Sequence, residues 1–231
     1  MTPVCPPRRR TAGPLFVVLA GLALAACQTT AAAPPVAPAA ASPSPDARRY
    51  AAVTTEPFVV PAVEPDALKP RYMRRLVDDP TGEPPGTVVV DPENRFLYLV
   101  QEGGKALRYG VGVGREGLAF SGTATVAHKR RWPRWTPTPD MIAREPAKYA
   151  RWAGGMDGGA ENPLGARALY LFRNGKDTLY RIHGTNEPWS IGEAVSSGCI
   201  RMMNQDVIDL YGRLPDGARV VVRPAGRGVS S

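Results

Sequence analysis

Two short stretches of the chain carry residue types that could do chemistry together. Cys199 stands in Ser196-Ser197-Gly198-Cys199-Ile200-Arg201-Met202, and sixteen residues upstream His183 opens His183-Gly184-Thr185-Asn186. Cysteine catalysis needs a thiolate, an imidazole to hold and shuttle its proton, and backbone N–H groups aimed at the developing oxyanion. Ser197 and Gly198 are small, so amides could converge at that turn without side-chain obstruction. His183 ends the β-rich run Leu179-Tyr180-Arg181-Ile182-His183, and a strand would hold its ring in place. The competing reading is an inert cysteine and a structural histidine that never meet. The chain offers few other candidates, with two histidines and three cysteines in 231 residues.

The start of the chain removes two of those cysteines. Arg8-Arg9-Arg10 precedes an uncharged apolar run over residues 14–24, which is too short for a permanent membrane span. It ends in Leu24-Ala25-Ala26-Cys27, which resembles a bacterial lipobox, whose cysteine is lipidated and becomes the mature N-terminus. Residues 1–26 are therefore expected to be a lipoprotein-type signal peptide, and the protein to be exported to the periplasm. Gln28 rather than aspartate favours passage to the outer membrane. A plain signal peptide cut after Ala26 is the alternative. Cys5 leaves with the leader and Cys27 is acylated, so Cys199 remains as a solitary thiol in an oxidising compartment. The leader takes three of the 29 basic residues, against 21 acidic ones, and leaves a net charge of +5. That excess suits an anionic partner without choosing one.

The elements that must position Cys199 and His183 read as mainly β. Residues 27–50 are rich in alanine, proline and serine, with almost nothing large to bury, and are expected to form a disordered tether. Residues 51–85 are an extension with one possible helix over 71–77. The folded domain is expected over 86–224, followed by a polar tail over 225–231. Residues 87–90 and 96–100 read as a hairpin across Asp91-Pro92-Glu93-Asn94, and residues 107–113 and 123–128 as further strands. Residues 169–172 and 179–182 flank Asn174-Gly175-Lys176, a second hairpin signal. Asn204 can cap a short helix in which Val207, Leu210 and Tyr211 share a face, and residues 218–223 close the set. Many short strands and few helices indicate a β-sandwich or barrel.

The residues from His183 to Met202 resemble the signature of the L,D-transpeptidase catalytic domain, a histidine followed by an S-x-G-C-[IV]-R motif. The likeness extends to residues 86–100, to Val111-Gly112-Val113-Gly114 and to Asn162-Pro163-Leu164-Gly165-Ala166-Arg167. The resemblance implies a β-sandwich that acts on peptidoglycan stem peptides without a cofactor. Cys199 would attack the carbonyl of the third stem residue, usually diaminopimelate, and expel the terminal D-alanine. An amine of another stem peptide would then resolve the thioester into a 3→3 cross-link. His183 would be the base, oriented by the Gly184 carbonyl. The amides of Gly198 and Cys199 would form the oxyanion hole, with Ser196, Ser197, Arg201, Thr185 and Asn186 lining or supporting the site. Many relatives carry a second histidine where this chain has Ser197. His183 alone would then have to lower the thiol pKa from about 8.5 and stabilise a thiolate pair.

Other readings of the same residues compete. Water as acceptor would make the protein an L,D-carboxypeptidase, and a protein lysine would make it a ligase of lipoprotein to the wall. A non-catalytic wall-binding lipoprotein is the reading from a different class. Gly112-Val113-Gly114-Arg115-Glu116-Gly117 fits a dinucleotide fingerprint, but no helix pattern follows it. Lys129-Arg130-Arg131-Trp132-Pro133-Arg134-Trp135 has the look of a nucleic-acid face. In an exported protein it reads instead as the border of a polymer groove or a solvated loop, and no nucleic-acid partner is expected. His128 reads as structural. Two histidines and one cysteine without ligand spacing make no zinc site. Acceptor choice is assigned to the loop around residues 143–159.

Overall fold

A computed structural model describes residues 48–67, 69–115 and 120–224. Eleven strands occur among them: β1 (Arg75–Asp78), β2 (Val88–Asp91), β3 (Phe96–Gln101), β4 (Lys105–Gly110), β5 (Val113–Gly114), β6 (Gly122–Arg131), β7 (Arg167–Arg173), β8 (Lys176–His183), β9 (Ala194–Ser196), β10 (Ile200–Arg201) and β11 (Arg219–Val222). Three helices join them: α1 (Pro139–Arg144), α2 (Pro146–Tyr149) and α3 (Asn204–Arg213). Nine strands form one mixed sheet in the order β1-β4-β3-β2-β11-β6-β7-β8-β10, and β5 pairs with β9 separately. The fold is mainly β with a few short helices, as the sequence indicates.

Period-2 alternation explains how the sheet curls around a shared core. Leu97 and Leu99 on β3, Val126 on β6, Leu169 and Leu171 on β7 and Ile182 on β8 all enter one core, together with Val207 and Leu210 of α3. Strands far apart in the sheet can share that core only if the sheet curls around α3. Burying each such side chain contributes about 1.5–3 kcal/mol. The alternate residues of β3, Phe96, Tyr98 and Val100, are buried too, in a second cluster that Tyr72 and Val77 cover from outside. β3 is therefore buried on both faces.

Both expected hairpins form. β2 and β3 pair antiparallel, as do β7 and β8. The second turns on Asn174 and Gly175, at φ 51° and 73°, the left-handed pair that a two-residue hairpin requires. Two local expectations fail. Residues 71–77 do not form a helix: Pro70–Tyr72 is a single 3-10 turn, and β1 follows, antiparallel to β4. The open edge of β4 offers a hydrogen-bonding ladder that local propensity does not reveal. The strand expected over 107–113 divides at Gly110, where a Cβ would lie within 2.4 Å of Tyr72, and Val113 joins β9 instead.

The extension packs against the domain. Tyr50, at the end of the expected tether, is buried; its hydroxyl donates to Asp206 Oδ2 at 3.1 Å and accepts from the Arg74 amide at 2.7 Å. Glu56 pairs with buried Arg167 at 2.5 Å, and that cation holds its carboxyl down at about 2.

Candidate active site

Parallel pairing of β10 with β8 brings the two motifs together. Ile200 lies beside Ile182 and Arg201 beside His183, so the turn carrying Cys199 sits along the strand that ends in His183. Cys199 and His183 line one cavity of about 670 Å³, together with Ser196, Ser197, Asn186 and Arg201. The structure thus brings six of the predicted site residues into one lining; Gly184, Thr185 and Gly198 lie outside that lining.

His183 is buried, and its Nδ1–H donates to the Gly184 carbonyl at 2.5 Å. That bond fixes the ring and leaves Nε2 as the basic nitrogen. Burial, with the Arg201 charge second, lowers its pKa to about 3, against the opposing pull of the Gly184 bond. Cys199 is half-buried, and burial pushes its thiol up. Both shifts favour the neutral forms. Burial thus opposes the thiolate pair expected from the sequence at both of its members, while the charges of Arg201 and Arg181 disfavour an imidazolium and favour a thiolate. His183 can instead take the thiol proton as the sulfur attacks, the work of a general base.

Ser196 organises the turn that carries Cys199. Its Oγ donates to the Cys199 carbonyl at 2.6 Å and accepts from the Gly198 amide at 3.1 Å. The Gly198 N–H is thereby engaged with a side chain rather than open to the cavity, which departs from the oxyanion-hole role expected of it. Among the described residues nothing accepts from the Cys199 N–H, which remains able to receive an oxyanion. Gly198 adopts φ 125°, a conformation suited to glycine. β5 presses against it: a Cβ on Gly114 would lie 2.6 Å from Gly198 Cα, and one on Gly112 2.6 Å from the Ser190 carbonyl. The G-x-G of the false dinucleotide fingerprint exists for this close approach.

The supporting residues have defined partners. Arg201 pairs with Glu187 at 2.6 Å. Thr185 is buried and accepts from the Glu187 amide at 3.0 Å, and Asn186 Nδ2 donates to the Glu161 carbonyl at 3.0 Å. Ser197 lines the cavity.

Three contributors were not legible in the motifs. Asn204 is the first residue of α3 and not its cap. Its side chain donates to the Thr185 carbonyl at 2.9 Å and accepts from the Ala166 amide at 2.9 Å, clamping the His183-Gly184 turn. Asn162 is buried, donates to the carbonyls of Pro133, Met156 and Asp157 and accepts from Leu164 N–H, tying down the loop that faces the site. Leu179 holds φ 62° within β8, rare for a residue with a side chain. Asp177 Oδ1 takes its N–H at 2.8 Å, and its carbonyl lies 3.9 Å from Cys199 Sγ, as an acceptor for the thiol. An Asp two residues before a bulged position was the available signal.

The basic-aromatic stretch divides among several tasks. Lys129 donates to carbonyls at the end of α3, Trp132 Nε1 to Glu56, and Trp135 lines the cavity. His128 stacks on Tyr170 at 4.3 Å, the structural part expected of it.

The model of the L,D-transpeptidase catalytic domain, YkuD, matches residues 85–222. The probable L,D-transpeptidase YbiS of Escherichia coli K12 is 35% identical over 137 residues, 58% of this chain and 43% of that protein. The probable L,D-transpeptidase ErfK/SrfK of the same organism is 36% identical over 139 residues, 59% and 43% of the two chains. The chain therefore spans less than half the length of these curated relatives. A crystal structure of a probable carnitine operon oxidoreductase from Brucella melitensis is 54% identical, covering 64% of this chain and 92% of that one, with a TM-score of 0.47. The family match covers more than half of the chain and contains His183, Gly198, Cys199 and Arg201 on one curled sheet, and the chain belongs to the L,D-transpeptidase catalytic-domain family.

Proposed function

We propose that the protein forms 3→3 cross-links between peptidoglycan stem peptides through a thioester on Cys199. The observation that carries this reading is the shared cavity, whose lining holds both Cys199 and a buried, neutral His183 with its Nδ1 committed to Gly184. As Cys199 Sγ bonds to the carbonyl carbon of the third stem residue, its proton passes to His183 Nε2. The Cys199 amide receives the oxyanion. Collapse breaks the peptide bond to the terminal D-alanine, whose nitrogen leaves with the proton from His183. The acceptor amine then attacks the thioester, gives its proton to His183 and restores the thiol. A tetrapeptide donor should add its acyl mass to the intact protein, and purified muropeptides should gain 3→3 dimers by mass spectrometry. An enzyme that acylates but yields only shortened tripeptides would be a carboxypeptidase.

The placement of this chemistry is part of the same proposal. Cys27 lies outside the described residues; its Leu24-Ala25-Ala26-Cys27 context supports lipidation and anchorage to the outer membrane facing the periplasm. One acyl chain binds membranes only marginally, so the several chains of a bacterial lipoprotein would secure it. Cys27→Ser should release the protein into the soluble periplasm or leave its precursor uncut. Unchanged processing and membrane retention would reject the lipobox.

A further inference from the structure

The cavity wall across from the sheet is built by α1, α2 and the turn after them, and it presents cations. Arg144, Lys148 and Arg151 all line the cavity and are exposed to it. Among the described residues none of the three is in an ion pair. Aromatic faces seat two of them: Lys148 Nζ lies 5.1 Å from the Tyr149 ring centre, and the Arg151 guanidinium 5.2 Å from that of Trp152. On the sheet side Glu187 is already neutralised by Arg201, which leaves Asp140 and Glu161 as the other carboxylates of the lining. The wall can therefore offer charge to an anionic ligand without first breaking an ion pair.

We propose that Arg144, Lys148 and Arg151 form a carboxylate-recognition wall that selects the donor peptide by its free carboxylates. The inference rests on the reading of the site as a peptide acyltransferase and adds what the cavity discriminates. A donor that ends one residue beyond the attacked carbonyl carries its terminal carboxylate within roughly 3.5 Å of chain per residue from Cys199. A diamino-acid side chain at the third position brings a second carboxylate. Either meets the wall as a charge-assisted contact, which guanidinium and ammonium groups make strongly with carboxylate. An amidated donor has the same length and shape but lacks the charge.

The test compares three forms of one tetrapeptide donor with the full chain: the free acid, the C-terminal amide and the side-chain amide. Acylation is followed by intact mass. The wild-type protein should show KM raised about 10- to 100-fold for the amide that removes the recognised carboxylate, the range for loss of a charged hydrogen bond. Which amide is affected identifies the carboxylate. The combined variant R144Q, K148Q and R151Q should raise KM for the free acid towards that of the amide, with the loss falling on KM and not on kcat. Added salt should weaken the wild type's preference. An unchanged melting curve establishes that the variant is folded, and single substitutions apportion the effect if it is not. Equal KM for all three donors in the wild type, or a variant that keeps the preference, would overturn the wall while leaving the acyltransferase intact. No acylation by any donor form would overturn the acyltransferase reading and this inference with it.

Discussion

The two walls of the cavity are built from different materials. The wall with Cys199 and His183 is sheet: β8 and β10 fix the register, and β5 packs so closely behind the nucleophile's turn that Gly114 and Gly198 touch by backbone. The opposite wall is two short helices of six and four residues, the first capped by Thr138 and the second without a side-chain cap, with their cations exposed. A reacting pair needs atoms held to a fraction of an ångström. Long cationic side chains over a short helix can adjust to what they bind. On the proposed reading, the contrast ties bond-making to the rigid wall and choice of substrate to the adaptable one.

Changes on the rigid wall should be the more damaging, and the nucleophile sets the upper limit. Cys199→Ala should abolish acyl-enzyme formation by intact mass and all cross-linking, with an unchanged fold. Any retained transpeptidation would place the chemistry elsewhere. His183→Ala should follow, at roughly 10²–10⁴-fold in acylation rate, since Nε2 is the base that the proposed mechanism uses. Gly114→Ala tests whether rigidity itself matters. A Cβ 2.6 Å from Gly198 Cα must displace the Cys199 turn, which should lower stability by about 1–3 kcal/mol and also slow acylation. A variant with the stability loss and full acylation would show that the turn need not be held so tightly.

The charge state of the pair gives a subtler prediction. With His183 lowered to about 3 and the thiol raised, the imidazole stays neutral, and able to accept a proton, from pH 7 down towards 3. The acid limb of the acylation profile should therefore lie well below the ordinary histidine value of about 6.5. Alkylation by iodoacetamide should be slow at pH 6 and rise only above about 8.5, the usual thiol range. Fast alkylation at pH 6 would establish a preformed thiolate pair. The smallest effect is expected at Ser197, which lines the cavity. Ser197→Ala should cost at most about tenfold, one modest hydrogen bond, and Ser197→His should be tolerated. Losses equal to those of His183→Ala would make Ser197 part of the catalytic unit.

The sequence by itself determined what is short-range. Asn174-Gly175 imposes its own turn, alternation along residues 96–101 assigns faces to β3, and the Ser196 to Met202 stretch marks a candidate nucleophile among small residues. Only the tertiary structure decided what depends on distant partners. The strand at Arg75–Asp78 exists because β4 has an open edge, whereas the local sequence also suits a helix. Tyr50 is ordered by Asp206, 156 residues away. Asn204 abandons the expected cap because Thr185 and Ala166 offer its side chain better partners. The balance between thiol and thiolate was decided in the same way. Spacing can place an imidazole near a thiol, but the burial that favours the neutral form of both groups arises only once the sheet has curled around them.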